Sequence, residues 1–132
     1  MTIKEIKKEK QRKYDQLLTD CKVFFAFSDE QFQKNKTPLS EGEKYVSIGA
    51  GGYMPKGMVQ ILKDGMKLID REYKAAISQN KQLRKDNILY ELRNHEAFYT
   101  HDLDDTLNAL GSDYSRSEVM AVFKANINKE DL

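Results

Sequence analysis

The strongest hydrophobic pattern in this chain is helical. Met58, Ile61, Leu62, Met66, Ile69, Tyr73 and Ile77 repeat at spacings of three and four, a wide apolar stripe that predicts a helix from Pro55 to about Gln79. Gly65 lies on the same face and allows another element to cross closely. A second helix is predicted from Lys81 to about Ala97, with Ile88, Leu89 and Leu92 as its stripe. Ser78-Gln79-Asn80 between them is polar enough to break the pair, although one longer helix also fits. A real break makes an antiparallel pair the natural packing. Leu103, Leu107 and Leu110 define a short helix ending at Gly111. Ser115-Arg116-Ser117-Glu118 is a capping box opening a last helix with Val119, Met120, Val122 and Phe123, which runs out near Asn126. Residues 128–132 read as a frayed tail. At the other end, residues 2–20 form a helix with Ile3, Ile6, Leu17 and Leu18 as contacts and Tyr14 between them. Its middle is so polar that it should dock by its ends and leave the middle in water.

Two stretches carry a different pattern. Val23-Phe24-Phe25-Ala26-Phe27 is a short continuous apolar run, read as a buried strand. Tyr45-Val46-Ser47-Ile48 has β-branched residues in near alternation and reads as a second strand. Between them, Ser28-Asp29-Glu30-Gln31 is another capping box. It starts a short helix to about Lys34, with Phe32 turned back on the core, and residues 35–44 form a polar loop. A glycine-rich segment, Gly49 to Gly57, joins the strand pair to the long helix. Two strands alone are marginal, so helices must cover them. The predicted fold is α+β: a predominantly helical single domain over residues 1–132, with a small antiparallel two-strand sheet packed against a long helix pair.

Composition narrows the picture. The chain has 132 residues, 39% apolar and 33% charged, which fits one modest core under a highly charged surface rather than a disordered chain. The net charge of +1 supplies no global field toward nucleic acid or acidic lipid. Cys21 is the only cysteine, so no intrachain disulfide forms, and it reads as a small buried apolar residue. The run at 23–27 is too short to span a membrane, and the N-terminus lacks an apolar signal core. A cytoplasmic protein is the expectation.

Three clusters offer candidate chemistry. Lys7, Lys8, Lys10, Arg12 and Lys13 crowd two turns of the first helix and suit phosphates. They equally suit a solvated face, with Glu9–Lys13 as an i,i+4 pair. Gly51, Gly52, Tyr53 and Lys56 suggest an anion-binding loop at a helix start. The spacing matches neither a P-loop nor a dinucleotide fingerprint, and a tight turn needing positive φ explains the glycines as well. His95, His101, Asp102, Asp104 and Asp105 fall around a helix start without recognised metal-ligand spacing. Thr100 or Asp102 caps that helix, the other aspartates favour its positive end, and together they form an acidic patch for a partner. No nucleophile–base arrangement, metal set or cofactor loop emerges. No catalytic residue, metal or cofactor is assigned, and the chain is not expected to be an enzyme.

The segments Val23–Ser28 with Glu30-Gln31-Phe32, Gly42–Pro55, and Tyr90-Glu91-Leu92 with Asn94-His95-Glu96 and Phe98-Tyr99-Thr100 carry a resemblance. Over residues 20–125 the chain resembles a group of short uncharacterised proteins encoded by phages and mobile elements of Bacteroidota. No activity is established for that group, so no functional residue is carried over. The resemblance implies a context in which small proteins without enzyme motifs inhibit or adapt host machinery, anti-CRISPR and other counter-defence proteins among them. The first expectation is therefore a non-enzymatic interaction protein whose partner is a host or phage protein, such as a nucleic-acid-guided effector. A second is direct RNA or DNA binding by the N-terminal cations, with Tyr53 or Tyr14 stacking on a base. A third is an enzyme binding a phosphorylated small molecule at Gly49–Gly57, with His95 or His101 as general base. Oligomeric state stays open, since the stripe over residues 58–77 serves a dimer as well as a core.

Overall fold

A two-residue turn decides the topology. Ala50 and Gly51 both have positive φ, +50° and +78°, the backbone of a type I′ hairpin turn that matches the twist of paired strands. In the computed structural model, which describes residues 1–130, the chain therefore reverses at once. Strand β2 (Tyr45–Gly49) runs into β3 (Gly52–Pro55), with Tyr45 opposite Pro55, Val46 opposite Met54, Ser47 opposite Tyr53, and an irregularity before Gly49 meets Gly52. The other side of β3 takes β1 (Phe24–Phe25), Phe24 opposite Tyr53 and Phe25 opposite Gly52. The sheet is thus three-stranded and antiparallel in the order β1-β3-β2. The expected two-strand pairing of 23–27 with 45–48 does not form, because a segment read as loop supplies the central strand.

The helices are α1 (Ile3–Asp20), α2 (Asp29–Asn35), α3 (Val59–Ile77), α4 (Lys81–Asn94), α5 (Ala97–Thr100), α6 (Asp104–Leu110) and α7 (Arg116–Asn126), with 3₁₀ turns at Lys56–Met58 and Ile127–Lys129. Local chemistry sets their ends. Thr2 and Glu5 form a reciprocal capping box at α1, at 3.2 and 3.3 Å. Ser28 accepts from the Gln31 N–H, and Ser115 from the Glu118 N–H. The break between α3 and α4 is real, because Asn80 caps α4 by accepting from the Leu83 N–H at 2.7 Å. Helix α4 stops at Asn94, earlier than the predicted Ala97, where Glu96 turns left-handed at φ 56°. Among the described residues, no helix is long and apolar enough to cross a membrane.

The backbone divides into two compact units, Lys7–Lys74 on one hand and Met1–Ile6 with Ala75 onward on the other. In the first, one face of the sheet presents Met54 and Val46 to the end of α1 and the start of α3. Cys21, Met54 and Leu62 form the core there, with Leu17, Leu18, Val23, Met58 and Val59 packed round them. On the opposite face, Phe24, Tyr45 and Tyr53 meet Phe32 of α2, with ring centroids 5.0 to 5.8 Å apart. Helix α3 contributes to covering the sheet as expected, but its partner in that core is α1. Helix α4 supplies Ile88 and Leu92 to the core of the second unit, with Ala97, Phe98, Leu103, Val119 and Phe123.

Two further expectations change. Helix α1 does not leave its middle in water: Lys7, Lys10 and Lys13 reach Tyr73 and Glu72 of α3. It crosses α3 where Gly65 has no side chain: a Cβ there would lie 2.6 Å from a Leu17 methyl. Nor is the C-terminal segment frayed as far as Glu130. Residues 127–129 form a 3₁₀ turn and the Glu130 carboxylate accepts from Arg93 Nε at 3.1 Å; residues 131–132 lie outside the described chain.

Candidate functional site

The basic cluster is largely consumed within the fold. Lys7 donates to the Tyr73 hydroxyl at 2.8 Å, and Lys10 sits 4.1 Å above the Tyr73 ring centroid. Lys13 pairs with Glu72 at 2.6 Å, not with Glu9, its expected helical neighbour. Glu9 instead takes two hydrogen bonds from Arg12, at 2.6 and 3.1 Å. Those bonds hold the Glu9 carboxyl below its usual range and raise the Arg12 guanidinium. Lys8 stands exposed. The cations that seemed a phosphate stripe act mainly as the α1 side of an α1–α3 contact, with the Lys7 and Lys10 ammonium groups over the Tyr73 ring.

The glycine segment separates rather than gathers its candidates. Gly51 and Gly52 are at the hairpin tip, whereas Lys56 lies beyond the far end of β3, exposed, in the 3₁₀ turn. Three strand steps of about 3.4 Å put roughly 10 Å between Gly52 and Pro55. The tip therefore does not sit at a helix N-terminus, and Lys56 does not converge on it. Gly51 has a packing role: its carbonyl accepts from the Ala26 N–H at 2.8 Å, and a Cβ there would collide with the Phe27 ring. Tyr53 lies in the aromatic cluster.

The acidic segment is likewise busy with local structure. Asp102 accepts from the Asp104 N–H at 2.9 Å and itself donates from its N–H to Thr100 Oγ1 at 3.1 Å, so the two residues shape the turn into α6 but neither is its cap, which is Leu103 without a side-chain cap bond. Asp104 pairs with Arg116 at 2.7 Å, and Asp105 is exposed. His95 Nε2 lies 3.3 Å from a Glu91 carboxylate oxygen, off-line for a hydrogen bond, while the His101 ring edges onto Phe123. Among the described residues, no three His, Cys, Asp or Glu side chains gather as a metal site. Cys21 is wholly enclosed, and burial, with the Asp20 charge behind it, pushes its thiol up.

Around the hairpin tip three large apolar side chains stand exposed. Phe27 is 77% exposed, Phe25 49% and Ile48 41%. Phe25 lies opposite Gly52, and the Ile48 side chain fills the space over Gly52 that a Cβ would occupy. Phe27 is exposed yet held: its N–H donates to Gln31 Oε1 at 2.8 Å and its ring rests on Gly51. Beside it opens a cavity of about 600 Å³ lined by Ala26, Phe27, Ser28, Asp29, Phe32, Gln33 and Tyr53.

A model described as a family of unknown function, DUF7659, matches residues 6–129. The chain belongs to that family. No curated protein matches it, and no solved structure does. The family match spans both compact units, so the exposed tip and the second core belong to one family unit of sequence.

Sequence reasoning missed the tip because the run at 23–27 was assigned wholesale to the interior. The spacing of its rings was the available signal. Alternating faces cannot bury rings at 24, 25 and 27 together: β1 turns Phe24 into the aromatic cluster, and Phe25, on its other face, and Phe27, beyond its end, stay exposed.

Proposed function

We propose that this DUF7659 member is a non-enzymatic binding protein that engages a protein partner through the hairpin tip. The observation carrying this reading is the set of exposed apolar side chains Phe25, Phe27 and Ile48, the Phe27 ring set against Gly51. Aromatic residues, Phe among them, are enriched at protein interfaces, and a contact that restrains such a ring lowers the ordering cost of association. The resemblance to phage and mobile-element proteins makes a host protein the first partner class to test. Within that class, an inhibitor or adaptor of the anti-CRISPR or counter-defence kind suits a small chain of this type.

The partners already engaged by Lys7, Lys10, Arg12 and Lys13 favour this reading over direct nucleic-acid binding. Phosphates would have to compete with Tyr73, Glu72 and Glu9 for those cations. The test is affinity capture from host lysate with and without nuclease, using the wild-type chain and Phe27→Ser. A protein recovered after nuclease treatment and lost with Phe27→Ser is the expected outcome. Recovery that vanishes with nuclease and ignores Phe27→Ser overturns the proposal and returns attention to α1.

A further inference from the structure

We infer that the cavity beside Phe27 receives a guanidinium cation, the arginine side chain of a protein partner. Three of its lining residues are aromatic: Phe27, Phe32 and Tyr53. The Phe32 and Tyr53 rings, both also packed on Phe24, meet nearly at right angles, 81° with centroids 5.0 Å apart, and each contributes to the cavity wall. The Phe27 ring, set against Gly51, stands on its solvent side. Aromatic faces carry negative charge density and attract cations over them.

The polar lining has the matching sign. Asp29 is the one charged residue on the cavity wall. It is exposed and, among the described residues, no ion pair engages it. Ser28 Oγ is committed to the Gln31 N–H, which leaves the Asp29 carboxylate and the Gln33 amide oxygen as acceptors. No lysine or arginine lines the space, so an anionic ligand finds no counter-charge. Glu30 follows Asp29 on the same exposed turn and adds to the negative field. A guanidinium matches this lining better than an ammonium: it is planar, stacks on rings and is more weakly hydrated, while its edge N–H groups pair with a carboxylate.

The inference rests on the protein-partner reading for the source of the arginine, but the binding is tested separately. The probe is N-acetyl-arginine methylamide, titrated into the ¹⁵N-labelled full chain at millimolar concentrations. The neutral citrulline analogue and AMP are run in parallel. Arginine is expected to give saturable amide shifts at Ala26–Gln33 and Tyr53, with citrulline weaker by about threefold or more. Asp29→Asn should weaken arginine by roughly three- to tenfold and leave citrulline unchanged. Glu30→Gln, which alters no lining residue, should change arginine binding less than Asp29→Asn. Equal binding of arginine and citrulline, arginine shifts elsewhere in the chain, or tighter binding of AMP at these amides overturns the assignment. If Asp29→Asn does not fold, the citrulline comparison in the wild-type chain decides alone. A failed capture from lysate with a selective arginine response would sink only the partner reading, and the converse only the cavity.

Discussion

Replacing Gly65 by alanine sets two effects of known size against each other. Gly65 lies within α3, away from its ends. Alanine there should stabilise the helix by roughly 1 kcal/mol, because glycine loses more backbone freedom on folding. The new Cβ, however, would lie 2.6 and 2.8 Å from the Leu17 methyl carbons and 3.3 Å from its Cγ. Both methyls cannot be avoided by a small tilt, and Leu17 is packed against the core formed by Cys21, Met54 and Leu62. Overpacking of that kind costs about 1–3 kcal/mol. The clash should win, leaving Gly65→Ala destabilised by about 1 kcal/mol. Leu17→Ala removes the obstruction, at a cost of about 2 kcal/mol for a half-buried leucine. In that background Gly65→Ala should become stabilising by about 1 kcal/mol, so the pair is coupled by about 2 kcal/mol. Urea denaturation of the four proteins by far-UV circular dichroism measures this through the shift in midpoint at common slope. If Gly65→Ala stabilises both backgrounds alike, with coupling below about 0.5 kcal/mol, α1 does not cross α3 at this glycine and the account of their packing is wrong.

Ala50→Asn places a residue tolerant of positive φ at the first centre of the hairpin turn. It should raise stability by about 0.5 kcal/mol, seen as a higher thermal midpoint, and a fall would argue against a type I′ turn. Arg84→Lys should cost about 1–2 kcal/mol in urea denaturation. It loses the paired bonds from Nε and Nη2 to the two Glu118 carboxylate oxygens, each at 2.8 Å, the bond to the Asp113 carbonyl and the stacking 4.0 Å over Tyr114; an unchanged midpoint refutes that clamp. Cys21 should resist a maleimide in the folded chain and react on unfolding, since it is enclosed and its thiol is raised by burial. The folded thiol holds its proton more tightly than the unfolded one. Its contribution is therefore complete below the unfolded value of about 8.5 and is lost as pH climbs through the higher folded value. Between pH 7 and 10, wild-type stability should drop more than that of Cys21→Ala, and parallel curves would refute the shift.

Elements with strong local signals were legible in the chain: the 3.6-residue stripe of α3, the serine caps of α2 and α7, and the Gly111 stop after α6, where φ is 85°. So was a close crossing at Gly65, though not its partner Leu17, because long-range contacts leave no mark in a local period. The middle strand was lost for a similar reason. Gly52-Tyr53-Met54-Pro55 has a glycine at one end and a proline at the other, and only the reversal at Ala50-Gly51 makes it a strand. Asn80 and the Thr2/Glu5 box carried readable capping signals that were passed over. Of the candidate site, the cations of α1 were visible as a cluster. Their partners Glu72 and Tyr73 lie about sixty residues away, beyond anything spacing can show. Phe27 was visible only as part of an apolar run, with nothing local to say that it faces water.

The tip is informative because the fold could do without it. By strand alternation Gly52 lies on the same face as Met54, and Phe25 and Ile48 sit against Gly52. The face that begins as core at Met54, fully buried, therefore continues to residues 41% and 49% exposed. The exposed part of those side chains contributes little hydrophobic stabilisation, which scales with area removed from water. A polar residue in place of Phe27, 77% exposed, should cost the fold little, whereas the ring invites association. Yet the segment carrying it is specified with care: Gln31 accepts from its N–H and Gly51 leaves room for its ring. The same corner sets Asp29 and two further rings around a cavity. An aromatic ring in solvent next to a carboxylate that no ion pair engages among the described residues is the arrangement on which the proposed binding role rests. The decisive comparison is therefore between Phe27→Ser and Gly65→Ala. The first should leave the urea midpoint almost unchanged and remove the captured partner; the second should lower the midpoint and leave capture intact at temperatures where the chain is folded.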